Sequence, residues 1–313
     1  MQFSRVGWSG VVAVVAVCAF VRPGCAETNP APPGTVEPGN LPIEMEKPAP
    51  LDRGEITFTI GADFATAYYF RGIRAERNGV VFQPYGTLNF LAYEDDDGNL
   101  LDYAYLSLGT WHSFHSKKSF ADGGPSSWFE ADVSVGPTFG FAQYFVGSVA
   151  WAAYMSPNGA FSTAHEFTLN LAFNDSEFLG GYALQPSIGF GYALISAGFG
   201  VAEGGVYAQP GIKPSTVLFK ATAWPVTVAV PISVGLSLHD YYAPAQPDGD
   251  FETFGFFNPG LIASIPLAFM PAQYGLWSFS IGVDLLVLSD TLKALNRGDR
   301  TTWVGRTGLL MTY

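Results

Sequence analysis

The sequence predicts an all-β fold: a transmembrane antiparallel up-and-down β-barrel of about twelve strands, closed by the C-terminal strand. Apolar and polar residues alternate with a period of two along most of the chain after residue 54, as in strands with two different faces. Only 13% of the residues are charged, whereas average soluble domains carry roughly 25%. No stretch after the N-terminal region offers the roughly 20 consecutive apolar residues of a membrane-spanning helix. A secreted soluble β-sandwich is the alternative, but the outward face of each strand is too apolar for water.

The first 26 residues have the pattern of a secretory signal peptide. Arg5 supplies a positive charge, a short apolar core follows, and small residues precede a cleavage site after Ala26. Acylation of Cys25 is disfavoured, because Arg22 stands where a lipoprotein signal has a Leu-type residue. Cleavage would remove both cysteines and both arginines of this segment, which changes the formal net charge from -12 to -14.

Residues 27–53 form a different kind of segment, rich in Pro and acidic residues and without periodicity. This composition predicts a disordered or extended periplasmic lead-in rather than a domain. The barrel is therefore expected over residues 54–313.

The first predicted strand, Glu55–Phe70, is the longest alternating stretch. One face carries apolar or aromatic residues such as Phe58 and Phe64, and the other carries small or polar residues such as Thr59 and Asp63. A strand that crosses a membrane needs about 9 to 11 residues. This stretch is long enough to cross and to project beyond the lipid.

Eleven further segments are predicted as strands from the same alternation. They are 81–93, 103–112, 128–139, 144–155, 165–174, 182–194, 205–223, 226–239, 254–267, 276–288 and 300–313. In segment 128–139 the pattern puts Phe129 on the outer face, with Glu130 and Asp132 on the inner face. The connections between the segments alternate between long and short, as they do between the external loops and periplasmic turns of outer-membrane barrels.

Tyr313 ends the last alternating segment. It resembles the C-terminal aromatic signature of bacterial outer-membrane proteins, which usually ends in Phe and is read by the barrel assembly machinery. The resemblance implies that machinery as a partner and the outer membrane of a Gram-negative cell as the location.

The run Tyr69–Ile73, an aromatic residue followed by Phe-Arg-Gly-Ile, carries a second resemblance. A first strand that ends in this run is similar to that of the TorF-type porins of proteobacterial outer membranes. The detailed match covers about residues 55–90. The resemblance implies a pore role in the outer membrane and supplies no catalytic residue.

The inner faces of the predicted strands carry more acidic than basic side chains. The acidic residues are Glu55, Asp63, Glu130, Asp132, Glu166 and Asp284, and the basic residues are Lys220 and Arg306. Carboxylates around a pore attract cations. We therefore expect a porin-like channel for passive diffusion of small polar solutes, with a preference for cations in ion transport. The alternative is a structural or adhesive barrel whose carboxylates pair with the basic and Tyr side chains and plug the interior.

A lipid hydrolase is the remaining alternative, because some twelve-stranded outer-membrane barrels hold a Ser/His site at the rim. The run His112–Ser116 offers a nucleophile and a base, but the G-x-S-x-G pattern is absent from the sequence. Two histidines, His112 and His115, do not make a metal site. The chain is therefore predicted not to be an enzyme, with no cofactor and no metal.

The predicted external loops carry basic residues that could meet the phosphates of lipopolysaccharide. These residues are Arg71, Arg74, Arg77, Lys117 and Lys118. Nucleic acid is excluded as a partner by the strongly negative net charge. Nucleotide chemistry is not supported either, because no Gly-rich phosphate loop precedes a helix.

Overall fold

The computed structural model describes residues 56–77, 79–95, 100–119, 127–196, 200–222, 224–243 and 252–313. The predicted signal peptide, the lead-in and Glu55 lie outside these residues, so the domain boundaries at 26 and 53 stay predictions. None of the helices in the described ranges is long and apolar enough to cross a membrane.

Antiparallel strands make up most of the described chain. They are β1 (Ile56–Ala65), β2 (Tyr68–Phe70), β3 (Ile73–Glu76), β4 (Val81–Glu94), β5 (Leu101–His115), β6 (Ser127–Phe141), β7 (Phe145–Met155), β8 (Ala164–Phe173), β9 (Ser187–Ile195), β10 (Val206–Ile212), β11 (Ser215–Leu218), β12 (Val226–Ala229), β13 (Ile232–His239), β14 (Phe254–Pro266), β15 (Leu276–Leu288) and β16 (Thr301–Thr312). Two short helices, α1 (Ser176–Leu179) and α2 (Asp290–Leu295), lie in the connections.

The sheet closes on itself. Each barrel strand pairs with its neighbours in the sequence, and β1 pairs both with β4 and with the last strand, β16. Strands β10 and β11 are two parts of one barrel strand interrupted near Pro214, and β12 and β13 are two parts of the next, interrupted near Pro231. Proline interrupts a strand because it supplies no backbone donor to the ladder. With each interrupted pair counted once, the barrel has twelve strands, which confirms the predicted fold class.

The barrel is polar inside and apolar outside. Ile60, Phe167 and Ile281 point outward and are 46, 47 and 58% exposed. By contrast, the inward Glu166 and Asp284 are 3 and 1% exposed. A water-soluble protein buries its apolar groups, so the reversed arrangement indicates that lipid covers the outer surface.

Aromatic side chains form two bands on the outer surface. At one end of the barrel Phe58 stacks on Tyr313 with ring centroids 5.2 Å apart, in line with a row of Phe residues on β6, β7 and β8. At the other end Phe64 packs against Phe82 at 4.9 Å. Phe58 and Phe64 are six residues apart, or about 20 Å along the strand. Two such bands, with an apolar belt between them, are typical of the two interfaces of a membrane.

The connections show which end of the barrel faces outward. The connections at one end, which we call the loop end, are 66–80, 116–126, 156–163, 196–205, 240–253 and 289–300. At the opposite end, which also holds both ends of the barrel sequence, most connections are shorter, such as 142–144. The connection 174–186 departs from this alternation because α1 and a 3-10 turn lengthen it. Long loops are external in such barrels, so the loop end is the external one.

The predicted first strand is too long. Strand β1 ends at Ala65, and the aromatic run after it turns away from the wall to form a separate two-stranded sheet, β2 and β3. Arg71 and Gly72 form the turn of this hairpin, with φ angles of +45° and +85°. Two consecutive positive φ values make a tight primed turn. We call residues 68–76 the inner hairpin.

Phe129 lies on the face opposite to the predicted one. The pairing of β5 with β6 shifts between Ser113 and Phe114, so that Ser113 pairs with Glu130 and Phe114 with Trp128. The extra residue is Phe129, which turns inward and stacks on His115 at 4.5 Å. A bulge of one residue changes the alternation locally, and a strict period of two cannot anticipate it.

Candidate functional site

The inner hairpin lies within the barrel at the loop end. Every one of its residues is buried. Its rings touch different parts of the wall: Tyr68 packs 5.4 Å from Trp111 of β5, and Phe70 packs 5.6 Å from Tyr154 of β7. Across the barrel, Gly72 approaches Phe256 of β14. A segment that reaches strands so far apart around a closed sheet occupies the lumen.

Arg71, at the tip of the inner hairpin, is held by charge and by aromatic rings. Its Nη1 and Nη2 donate to the two carboxylate oxygens of Glu166 at 2.9 and 2.5 Å, and Nη1 also donates to the Tyr241 hydroxyl at 2.7 Å. The guanidinium lies 4.3 Å from the ring centroid of Tyr207. Burial works to lower the pKa of Arg71, but Glu166, Tyr241 and Tyr154 together outweigh it and hold that pKa well above its usual range. The side chain therefore keeps its charge inside the barrel.

The loops fix the backbone of the turn from the other side. The Tyr242 hydroxyl donates to the Arg71 carbonyl at 3.0 Å. The Asn296 side chain donates to the Gly72 carbonyl at 2.6 Å and accepts from the Arg74 backbone N–H at 2.8 Å. These bonds satisfy backbone groups that no barrel strand can reach, so they specify where the tip sits.

The basic residues of this region do not lie as predicted. Arg71 and Arg74 were expected in an external loop, free to meet lipopolysaccharide phosphates, but both are buried. Arg74 pairs with Asp299 at 2.7 Å, and the half-exposed Arg77 shares the same carboxylate at 2.5 Å. The expectation of phosphate contacts is therefore wrong for Arg71 and Arg74, because the chain turns into the lumen after Ala65. Lys117 and Lys118 are exposed, and their contact with lipopolysaccharide stays a prediction.

The predicted inner carboxylates that the structure describes are all buried. They are Asp63, Glu130, Asp132, Glu166 and Asp284. The Tyr68 hydroxyl donates to Glu130 at 2.9 Å. Asp284 pairs with Arg306, whose side chain is 9% exposed, with 3.2 Å between Nε and Oδ2. Arg71 and Arg306 thus each meet an inner carboxylate, and among these described residues the acidic groups remain in excess.

Lys220 differs from this group. It is exposed in the turn between β11 and β12, beyond the ends of the strands. Its placement inside the barrel was wrong, because the proline-interrupted strand ends at Leu218. Arg71 takes the role that was expected of Lys220 as a basic partner of a lumen carboxylate.

The histidine run on β5 splits between the two faces of the sheet. His115 faces inward, where its Nε2 and the Ser113 Oγ are 2.9 Å apart and its Nδ1 and the Ser119 Oγ are 2.8 Å apart. His112 faces outward against Trp128. Ser113 and Ser119 have no exposed surface, so the Ser113–His115 contact offers no nucleophile to a substrate. Because His112 and His115 lie on opposite faces, they cannot share a metal ion.

Comparisons with known proteins give no family. No family model matches the chain, and no curated protein matches it. Among solved structures, the chain is similar to an outer-membrane channel from Pseudomonas putida F1, at 8% identity and a TM-score of 0.46 over 82% of this chain and 95% of that one. It is also similar to the transport unit of the autotransporter AIDA-I from Escherichia coli, at 10% identity and a TM-score of 0.41 over 85% and 93%. Similarity at this level assigns no function.

The barrel itself defines the class of protein. A closed antiparallel barrel satisfies all backbone groups within lipid, and its apolar belt with two aromatic bands matches the two membrane interfaces. The chain is an outer-membrane β-barrel protein. Its distinguishing feature is a charged hairpin held inside the external mouth.

Proposed function

We propose that this protein is a narrow, cation-preferring channel for small polar solutes, which the inner hairpin closes in the conformation described here. The observation that carries the proposal is the excess of lumen carboxylates over the two arginines Arg71 and Arg306. Charge of one sign in a low-dielectric passage concentrates ions of the opposite sign. The implied resemblance to TorF-type porins is compatible with this role.

The way the inner hairpin is attached supports a movable closure. Strands β2 and β3 pair with each other and form no ladder with the barrel strands. The hairpin is held by side chains, of which the Arg71–Glu166 pair and the Asn296 amide reach its tip. Loss of a few such contacts would free the hairpin without breaking the hydrogen bonds between the barrel strands.

The test is the reversal potential of the refolded protein in a planar bilayer under a KCl gradient. We expect stepwise conductance with a potential that favours K⁺. The variants Glu130→Gln and Asp132→Asn should reduce that preference, and Glu177→Gln, an exposed residue of α1, should leave it unchanged. A preference for Cl⁻ would refute the proposal.

A second candidate is a structural or adhesive barrel with a permanently plugged interior, which the burial of the whole inner hairpin favours. In that case a correctly folded barrel would stay silent even after the hairpin contacts are removed. Lipopolysaccharide and the barrel assembly machinery remain proposed partners under either function, and small solutes remain proposed partners of the channel.

A further inference from the structure

A pocket lies at the loop end, between the inner hairpin and the wall formed by β6 to β9. Its volume is about 420 Å³ when the open solvent at its mouth is counted, and the enclosed part is much smaller. Most of its lining is apolar or aromatic, including Phe70 of the hairpin, Phe161 of the loop 156–163, Ile195 and Val201. We call this cavity the mouth pocket.

Two carboxylates line the mouth pocket, and they differ in whether a basic side chain pairs with them. Glu166 is neutralised by Arg71. Glu130 is 4% exposed and accepts one hydrogen bond, from the Tyr68 hydroxyl. In the ranges that the structure describes, Glu130 forms no ion pair, and no Lys or Arg side chain lines the pocket. A buried carboxylate without a cation is unfavourable unless a ligand or a proton supplies the charge.

A second polar group of the mouth pocket, the Tyr154 hydroxyl, lacks a hydrogen-bond partner among the described residues. Tyr154 is 5% exposed and lines the pocket. Its hydroxyl forms no hydrogen bond with any described residue, and the same holds for one carboxylate oxygen of Asp132, the residue that pairs with Tyr154 in the sheet. Buried polar atoms in native structures are nearly always satisfied. The unsatisfied Tyr154 hydroxyl in the pocket, with an unsatisfied oxygen of Asp132 on the neighbouring strand, favours a ligand that carries donors.

We propose that the mouth pocket binds a small organic cation with an apolar body, such as an aromatic or alkyl ammonium. An ammonium has three donors and can bond to Glu130 and to the Tyr154 oxygen together. The rings of Phe70 and Phe161 offer a surface for the apolar body and for cation–π contact. An anion would meet Glu130 with no basic side chain to balance it.

This inference deepens the proposed channel function, because it names the solutes that the external mouth would select. Binding is measured without transport, so the two can fail separately. Binding without conductance would support the ligand site and refute the channel function. Conductance without binding would support the channel function and refute the ligand site.

The experiment is calorimetric titration of the refolded full-length barrel in detergent with three probes of similar shape: benzylammonium, benzyl alcohol and benzoate. We expect benzylammonium to bind at least about tenfold more tightly than benzyl alcohol, the range of one charge-assisted hydrogen bond. Benzoate should show no binding. Equal affinity for the cation and the alcohol would overturn the proposal.

Variants locate the site. Glu130→Gln keeps an acceptor for Tyr68 but removes the charge, and should weaken benzylammonium binding about tenfold or more without changing benzyl alcohol binding. If that variant does not fold, Tyr154→Phe is used instead. It removes only the hydroxyl and should weaken benzylammonium binding by a smaller factor. Glu177→Gln, on the surface at the opposite end, serves as the control. Unchanged benzylammonium affinity in Tyr154→Phe and Glu130→Gln would place the binding elsewhere and refute the mouth pocket.

Discussion

Arg71 and Glu166, 95 residues apart in the chain, form a two-pronged ion pair inside the barrel with both side chains 4% exposed. The pair joins the tip of the inner hairpin to β8. Two charges at this depth are stable only together, because each alone would be buried without a partner. The pair therefore controls both the stability of the barrel and the position of the hairpin.

The first prediction concerns the loss of one partner. Arg71→Met should lower the free energy of unfolding by about 3–5 kcal/mol, because it leaves the Glu166 carboxylate buried without a charged partner. The double variant Arg71→Met/Glu166→Gln should recover part of that loss, since no unpaired charge remains. Urea unfolding in lipid vesicles measures both values.

An exposed ion pair provides the control. Arg300 pairs with Asp290, and both side chains are about half exposed or more. Arg300→Gln should cost at most about 1 kcal/mol. If Arg71→Met costs no more than Arg300→Gln, the hairpin is not held by this pair.

The second prediction compares two glycines with similar backbones. Gly72 and Gly298 have φ angles of +85° and +91°, but a Cβ on Gly72 would lie 2.7 Å from Leu292 and 2.9 Å from Phe256, whereas Gly298 has nothing within 4 Å. Gly298→Ala should cost about 1–2 kcal/mol from the backbone alone. Gly72→Ala should cost clearly more, because the neighbours must move. Equal losses in urea unfolding would mean that the turn does not pack against α2 and β14.

The third prediction tests the lipid-facing surface. Ile281 lies near the middle of β15 and points outward. Ile281→Arg should reduce the stability in vesicles by about 2–4 kcal/mol, the cost of a charged side chain near the bilayer midplane. Leu100→Arg, at an exposed position outside the strands, should change little. A tolerated Ile281→Arg would contradict the membrane-spanning barrel.

The fourth prediction concerns two basic residues. Arg306 lies in the lumen beside Asp284, and Lys220 lies in an exposed turn. Arg306→Gln should make the reversal potential more cation-selective because it leaves the Asp284 charge uncompensated, whereas Lys220→Gln should not change it. A changed reversal potential in Lys220→Gln and an unchanged one in Arg306→Gln would indicate that Lys220 lines the lumen, and would contradict this account.

Much of the barrel could be predicted because alternation reports directly on which face of a strand meets lipid. The predicted segment 276–288 matches β15, and 226–239 matches β12 and β13 together. Alternation continues past Ala65 in the sequence, however, because the aromatic residues of the inner hairpin also pack on two sides. The sequence pattern could not distinguish a barrel strand from a strand of the inner hairpin, because both have two faces in different surroundings.

The candidate site could be predicted only in part for a related reason. The alternation places Glu130, Glu166 and Asp284 inward, but it does not show that Arg71 reaches Glu166 and that Arg306 reaches Asp284. The partner of Glu166 depends on how the closed barrel brings the turn between β2 and β3 close to β8. A local signal was present: Arg71-Gly72, flanked by apolar residues, has a glycine where a tight hairpin turn favours one.

The most direct test of the central claim is the single-channel conductance of two proteins in symmetrical KCl: the unsubstituted chain and a variant in which residues 68–76 are replaced by a Gly-Ser segment of equal length. The heat-induced shift in electrophoretic mobility verifies that both barrels are folded. If the inner hairpin closes a cation-preferring lumen, the variant should conduct in larger steps and remain selective for K⁺. A folded variant that conducts no better than the unsubstituted protein would contradict the account.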